Sequence, residues 1–205
     1  SGMASYVLDR GGLNPSFVDG GIVPEINTNA QHKNGRYFVA ELDESDGTIA
    51  KYSPDILVIN NLEEDHVDFY KNGMQDIINT FNYAVSKAKK VIINKDNYGV
   101  MSLDGNFVTF GLSDADYVAK NIDYSKNKTS FDVYYKNNLL VSVVIRLSGV
   151  HNVYNTLAVI SALNEAGVKI NLIKDGFSEF TGMGRRFQKI CEFDGIEVYD
   201  DYAHH

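Results

Sequence analysis

Two acid-rich strings stand one strand apart in this chain: Ala40-Glu41-Leu42-Asp43-Glu44-Ser45-Asp46-Gly47-Thr48 and Asn60-Asn61-Leu62-Glu63-Glu64-Asp65-His66-Val67-Asp68-Phe69-Tyr70. Each follows a short apolar run, Tyr37-Phe38-Val39 and Ile56-Leu57-Val58-Ile59, with the length and composition of a buried strand. In open parallel sheets, ligands bind beyond the carboxyl ends of the strands. Carboxylates gathered there are costly unless something positive sits among them, so the pattern points to a nucleotide and metal site. Glu41, at a strand end, is placed to hold magnesium against nucleotide phosphates, with a solvated strand-end acid as the alternative. Some of Asp43, Glu44 and Asp46 are expected to cap turns or a helix start instead. His66 lies among carboxylates, which suits metal binding or an oriented imidazole. Imidazole alone favours zinc or manganese over magnesium, and an acid box at a helix N-terminus with a surface histidine is the competing reading.

Two later strings add donors of another kind. Gly149-Val150-His151-Asn152-Val153-Tyr154-Asn155 opens a helical pattern in which Asn152 and Asn155 are three residues apart, on neighbouring faces. A carboxamide both donates and accepts, as the N6/N7 edge of adenine requires. Asn152 also has the residue type of an N-cap, a reading that leaves His151 and Asn155 unused. Gly182-Met183-Gly184-Arg185-Arg186-Phe187 sets two planar guanidinium forks after a flexible loop, a match for phosphate or carboxylate oxygens, although surface arginines after loops are ordinary. Cys191, in an alternating strand-like run, reads as structural packing and is given no chemistry.

With 205 residues, 44% of them hydrophobic, the chain can bury a real core in one large domain or in one domain plus a piece of another. A net charge of -8 without a basic run argues against nucleic acid as a partner. A compact anion such as a nucleotide stays compatible, because a metal ion and a few donors dominate locally. One cysteine allows no internal disulfide, and no apolar leader or long apolar span is present, so a cytoplasmic protein without membrane insertion is expected. No repeat or low-complexity segment points to a solenoid or a disordered chain.

The positioning elements follow from periodicity. Helices are predicted over Ser1–Arg10, Met74–Lys89, Asn152–Ala166 and Ile170–Phe180, and strands at Phe17-Val18, at the two runs before the acidic strings, and at Val91-Ile92-Ile93. Gly20-Gly21 reads as a turn, and Phe187–Tyr199 as a hairpin turning at Asp194-Gly195. Alternating runs from Asn106 to Leu147, beginning with Phe107-Val108-Thr109-Phe110, suggest a small antiparallel sheet. The expected fold is α/β: a mostly parallel, Rossmann-like sheet flanked by helices, with a small antiparallel β subsheet attached.

Taken in order, AELDESDGT, NNLEEDHVDFY, SGVHNVYN, GMGRRF and DDYAHH resemble the Mur ligase family over nearly the whole chain. The DESDG and GRRF strings favour the member that uses L-alanine over those acting later in peptidoglycan assembly. The resemblance implies an ATP-dependent, amide-forming ligase. ATP phosphorylates the lactyl carboxylate of UDP-N-acetylmuramate, and the amine of L-alanine attacks the acyl phosphate. It further implies Mg2+ held by Glu41 and His66 as the catalytic pair, with His151, Asn152 and Asn155 at the adenine side. Arg185 or Arg186 would approach phosphate or sugar-nucleotide groups, and Asp200 or Asp201 the ribose or domain hinge. Residues 1–186 would form the central ATP-binding domain, including the subsheet at about 106–147, and 187–205 the start of a C-terminal domain or a linker hairpin. No Gly-x-x-Gly-Lys-Ser/Thr loop occurs, and the family continues beyond DDYAHH, so the expectation is an excised central domain that folds but does not turn over by itself. Within the family the alternative is a recycling ligase that attaches a preformed peptide to the same sugar nucleotide. Outside it stand a non-catalytic nucleotide- or partner-binding module with a solvated acidic rim and a zinc hydrolase, for which closed-site histidine and cysteine spacing is lacking.

Overall fold

The computed structural model describes residues 1–125, 128–186 and 188–201. Helix α1 (Gly2–Arg10) leads into β1 (Ser16–Val23), β2 (Thr28–Gln31) and β3 (Phe38–Ala40), and β4 (Ile56–Ile59), α2 (Met74–Lys87), β5 (Lys90–Asn94) and β6 (Val108–Gly111) follow. Strands β7 (Tyr117–Ser125), β8 (Lys128–Tyr135) and β9 (Asn138–Ile145) precede α3 (Val150–Glu165) and α4 (Ile170–Glu179), and the hairpin β10 (Gln188–Phe193) and β11 (Ile196–Asp200) comes last.

The larger sheet has six strands in the order β4-β5-β6-β7-β8-β9. Its first three pairings are parallel and its last two antiparallel. Parallel strands covered on both faces need apolar residues at successive positions, and Val91, Ile92 and Ile93 supply them. Leu57, Ile59, Val91 and Ile93 share one core with Ile77, Phe81 and Ala84 of α2, an i, i+4, i+7 stripe. On the opposite face Ile92, Phe110 and Tyr117 pack with Val153, Leu157 and Ile160 of α3, and α1 and α4 extend that core through Val7, Leu8, Ile173 and Phe177. The end of this sheet away from the acidic strings is tied by polar contacts: the Tyr117 hydroxyl donates to Glu165 Oε1 at 2.8 Å, Asn164 donates to that hydroxyl at 2.7 Å, and Lys90 pairs with Glu165.

Several local expectations are corrected. The Gly20-Gly21 pair is no turn; it lies inside β1, where the pairing with β2 shifts register between Val18 and Val23. Strand β2 had no sequence signal, because its Thr28-Asn29-Ala30-Gln31 is polar and pairs at an exposed edge. The run containing Val108 pairs in parallel with β5 and β7, so the antiparallel part spans β7 to β9 and continues the main sheet. The two strands that carry the acidic strings are not neighbours either. Strand β3 pairs with β1 in a three-stranded sheet ordered β2-β1-β3, and β4 is the edge of the six-stranded one. Phe38 in β3 is 67% exposed, against the buried strand expected there. Cys191 is exposed on β10, so it does not pack inside.

Candidate functional site

Glu41 begins where β3 ends. Its amide donates to the Val18 carbonyl at 2.9 Å, which extends the β1–β3 ladder by one bond and fixes the backbone beneath the carboxylate. Glu41 Oε2 accepts the Ser1 hydroxyl at 2.5 Å and the Gly20 amide at 3.2 Å. Burial opposes ionisation, but the Ser1 and Gly20 bonds, then the ammonium of Ser1 and last the charge of Arg186, outweigh it and hold the carboxyl below its ordinary range. Glu41 is therefore an anion at neutral pH. Beneath it lies Asp19, only 3% exposed, with both carboxylate oxygens unpartnered. Burial pushes its pKa up, and the Ser1 and Ser5 hydroxyls soften that rise without reaching hydrogen-bond distance. Sequence reasoning missed Asp19, although strict alternation from Phe17 would have placed it on the inward face.

The second acidic string folds back onto the first. His66 Nε2 stands 3.5 Å from Glu44 Oε1 and 3.9 Å from Asp65 Oδ2, and the buried Tyr70 donates its hydroxyl to the Glu44 carbonyl. His66 has a left-handed backbone with φ of 53°, and its carbonyl accepts the Phe69 and Tyr70 amides, a tight turn that aims the ring at Glu44. The two strings thus meet at Glu44, which His66 and Tyr70 face, while Glu41 is bonded to Ser1 and Gly20. Asp43 and Asp46 act as turn acids, accepting the Ser45 amide at 2.8 Å and the Thr48 amide at 2.9 Å. Among the described residues no three His, Cys, Asp or Glu side chains converge as a metal cage. Magnesium beside phosphates uses only one or two protein carboxylates, and the ionised Glu41 is a hard oxygen donor of that kind.

Helix α3 opens at Gly149, which is its N-cap, so Asn152 is not. The Asn152 amide group donates back to the Ser148 carbonyl at 2.8 Å and meets His151 Nε2 at 3.0 Å. His151 and Asn155 are exposed, and among the described residues the Asn155 side chain makes no hydrogen bond. The Asn155 carboxamide, in the second turn, is therefore free, while the His151 imidazole is held by Asn152 and lies over Gly149.

The Gly182–Arg186 loop docks against β1, its Gly184 amide donating to the Ile22 carbonyl at 2.9 Å. This brings Arg186 near enough to Glu41 to lower its pKa. Arg185 turns the other way: its Nε lies 3.8 Å from Asp200 Oδ2 and its amide donates to Gln188 Oε1 at 3.0 Å. Asp201 is exposed just past β11, and the Tyr202-Ala203-His204-His205 end of the DDYAHH string lies outside the described residues. Two concavities lie elsewhere, one of about 610 Å³ beside Phe38 and Arg36 and one of about 470 Å³ between β8, β9 and α4; neither is lined by Glu41, His66 or α3.

The model of the Mur ligase middle domain matches residues 21–163. The chain belongs to this family. Among its relatives are UDP-N-acetylmuramate–L-alanine ligases from Geobacter sulfurreducens, 39% identical, and Dictyoglomus turgidum, 37% identical. Each alignment covers 99% of this chain and 46% of the relative, so the chain spans about half the length of the family members it matches. The crystal structure of the UDP-N-acetylmuramate-alanine ligase from Thermotoga maritima superposes with a TM-score of 0.88 at 28% identity, covering 100% of this chain and 47% of that one. The UDP-N-acetylmuramate:L-alanyl-gamma-D-glutamyl-meso-diaminopimelate ligase from Neisseria meningitides gives a TM-score of 0.77 at 27% identity, covering 90% of this chain and 63% of that one. The α/β architecture read from the sequence is thus the fold of the family. Among the described residues no helix is long and apolar enough to cross a membrane.

Proposed function

We propose that this chain, over residues 1–186, is the ATP-handling part of a ligase that joins L-alanine to UDP-N-acetylmuramate in cytoplasmic peptidoglycan synthesis. The observation that carries this reading is 39% identity, across 99% of the chain, to a relative bearing that activity in its name. Three features support it: the Glu41 carboxyl is held below its ordinary range, His66 Nε2 lies 3.5 Å from Glu44 Oε1, and the charge of Arg186 is felt at Glu41. In this reading Glu41 and His66 hold Mg2+, which when bound would offset repulsion between the ATP phosphates and the acceptor carboxylate. His151, Asn152 and Asn155 meet the adenine edge with paired donor and acceptor groups. Arg186 meets phosphate, while Arg185, with Asp200 and Asp201, meets the ribose or sugar-nucleotide side. Holding the two substrates in line supplies much of the remaining acceleration. The peptide-recycling reading has weaker support, since the relative of that type superposes with the lower TM-score.

Calorimetric titration of the chain with Mg-ATP, repeated for Glu41→Ala and His66→Ala, tests the site. Affinity is expected to drop about tenfold or more in each, ~1.4 kcal/mol per tenfold; equal affinity in all three proteins would refute the assignment. The acceptor is tested in the full-length gene product by amide formation with L-alanine against a tripeptide. Preference for the tripeptide would move the assignment to the recycling ligase.

A further inference from the structure

The loop that follows β5 touches both halves of the candidate site. Asn97 Oδ1 accepts the Leu62 amide at 3.2 Å and the Val100 amide at 3.0 Å, which pins the start of the segment that carries His66. The approach is close: a Cβ on Gly99 would stand 1.9 Å from the Leu62 carbonyl oxygen, so glycine alone lets the chain pass. One residue earlier, Asp96 Oδ2 accepts the Leu112 amide at 2.6 Å and the Tyr154 hydroxyl at 3.0 Å. Tyr154 sits in the opening turns of α3 between Asn152 and Asn155. Here too the neighbour has to be small, since a Cβ on Gly111 would lie 2.8 Å from Asp96 Oδ2. The loop itself is braced, with the Asp96 amide on Asn94 Oδ1 at 3.1 Å and the Lys95 amide on the Phe110 carbonyl at 2.9 Å. Burial and the Asp96 carboxylate push the Tyr154 hydroxyl up to about 12, so it remains a donor at neutral pH.

We propose that Asp96 and Asn97 are positioning residues that keep the adenine side and the metal side of one nucleotide site in register. Asp96 acts through Tyr154 on the turn bearing His151, Asn152 and Asn155, and Asn97 acts through Leu62 on the His66 segment. The inference rests on the nucleotide reading above for its functional half and on geometry alone for its structural half. None of these side chains is asked to touch the nucleotide. Their role is to set the distance between groups that do, which hydrogen bonds from a rigid strand end achieve better than a free loop would.

Hydrogen exchange on the full chain reads the positioning without any ligand. In Tyr154→Phe and Asp96→Leu, the amides of residues 153–156 are expected to exchange about fivefold faster, the size of one lost hydrogen bond. Asp96→Asn, whose side-chain carbonyl can accept both bonds made by Oδ2, is expected to stay at the wild-type rate. Asn97→Ala is expected to accelerate exchange over residues 62–70 and to leave α3 unchanged. Titration with Mg-ATP and with Mg-tripolyphosphate, which has no adenine, reads the consequence. Tyr154→Phe is expected to weaken Mg-ATP about fivefold and leave Mg-tripolyphosphate unchanged, while Asn97→Ala weakens both. Unchanged exchange at residues 153–156 in Tyr154→Phe, or Asp96→Asn behaving like Asp96→Leu, overturns the positioning role. Parallel loss of both probes in Tyr154→Phe overturns its link to the adenine side. A wild-type chain that binds neither probe counts against the nucleotide reading, and the exchange rates then decide the positioning role by themselves.

Discussion

Tyr70→Phe isolates a hydroxyl that joins the two acidic segments. Tyr70 is 2% exposed and belongs to the α2-side core with Ile49, Leu62 and Ile77, and its ring meets Phe69 edge-on at 4.9 Å. Phenylalanine keeps all of that packing. What goes is the donor to the Glu44 carbonyl, three residues beyond Glu41 and on the same residue that faces His66. A net hydrogen bond contributes about 1 kcal/mol, and a carbonyl left without its donor raises the loss toward ~2 kcal/mol. In a chain of this size that corresponds to a fall of roughly 2–8 °C in Tm. Urea denaturation followed by circular dichroism measures the loss, and an unchanged m value would show that the compactness of the end states is intact. Because both groups bear on Glu44, a double-mutant cycle with His66→Ala is expected to show coupling of about 0.5 kcal/mol or more. Stability unchanged within about 0.3 kcal/mol, together with strict additivity in the cycle, would refute the idea that Tyr70 clamps the two segments.

Three further perturbations probe other parts of the argument. Between the ordinary carboxyl value of 3.8 and the raised value of Asp19, the folded chain keeps the proton and the unfolded chain releases it, so stability falls as pH rises through that window. Asp19→Asn is therefore expected to be about 1 kcal/mol more stable than wild type at pH 7, with the gap closing as pH drops toward 3.8; melting temperature against pH measures it, and a less stable variant at pH 7 would contradict it. Glu165→Ala removes the acceptor of the fully buried Tyr117 hydroxyl and the partner of Lys90, whose side chain is 39% exposed. Discounted for that exposure, the expected loss is about 2 kcal/mol by urea denaturation, with less than half of that counting against a structural role for the network. Gly99→Ala forces a methyl into the Leu62 carbonyl and is expected to cost about 2 kcal/mol or more, and a crystal structure of the variant with the backbone unmoved would exclude the close-approach argument.

Much of this architecture is legible because its strands and helices are periodic. The run Ile56–Ile59 coincides with β4, and the apolar positions of Met74–Lys87 and Val150–Glu165 mark the buried stripes of α2 and α3. The hairpin turn at Asp194-Gly195 is legible for a different reason: both residues adopt positive φ, 49° and 78°, the demand that this dipeptide meets. Failures came where pairing partners, not periodicity, decide the outcome. Gly20-Gly21 looks like a turn until β2 and β3 are laid beside it, and β2 itself carries only one apolar residue, Ala30. For the candidate site, residue types singled out Glu41, His66, Asn152 and Asn155 as candidates, and the family resemblance added His151. Asp96, Asn97, Tyr154 and Tyr70 escaped notice, because an ordinary tyrosine or loop acid gains its role only from what folding brings within 3 Å or so.

The turn between α4 and the hairpin has one more implication. Gly184 is bonded to β1, while the next residue, Arg185, is bonded to Gln188 on one arm of the hairpin and lies close to Asp200 on the other. Arg186, the cation that bears on Glu41, sits just beyond this junction. Arg186 thus stands between a residue bonded to β1 and the first strand of the hairpin. A shift of the hairpin relative to β1 is therefore expected to alter the charge felt at Glu41.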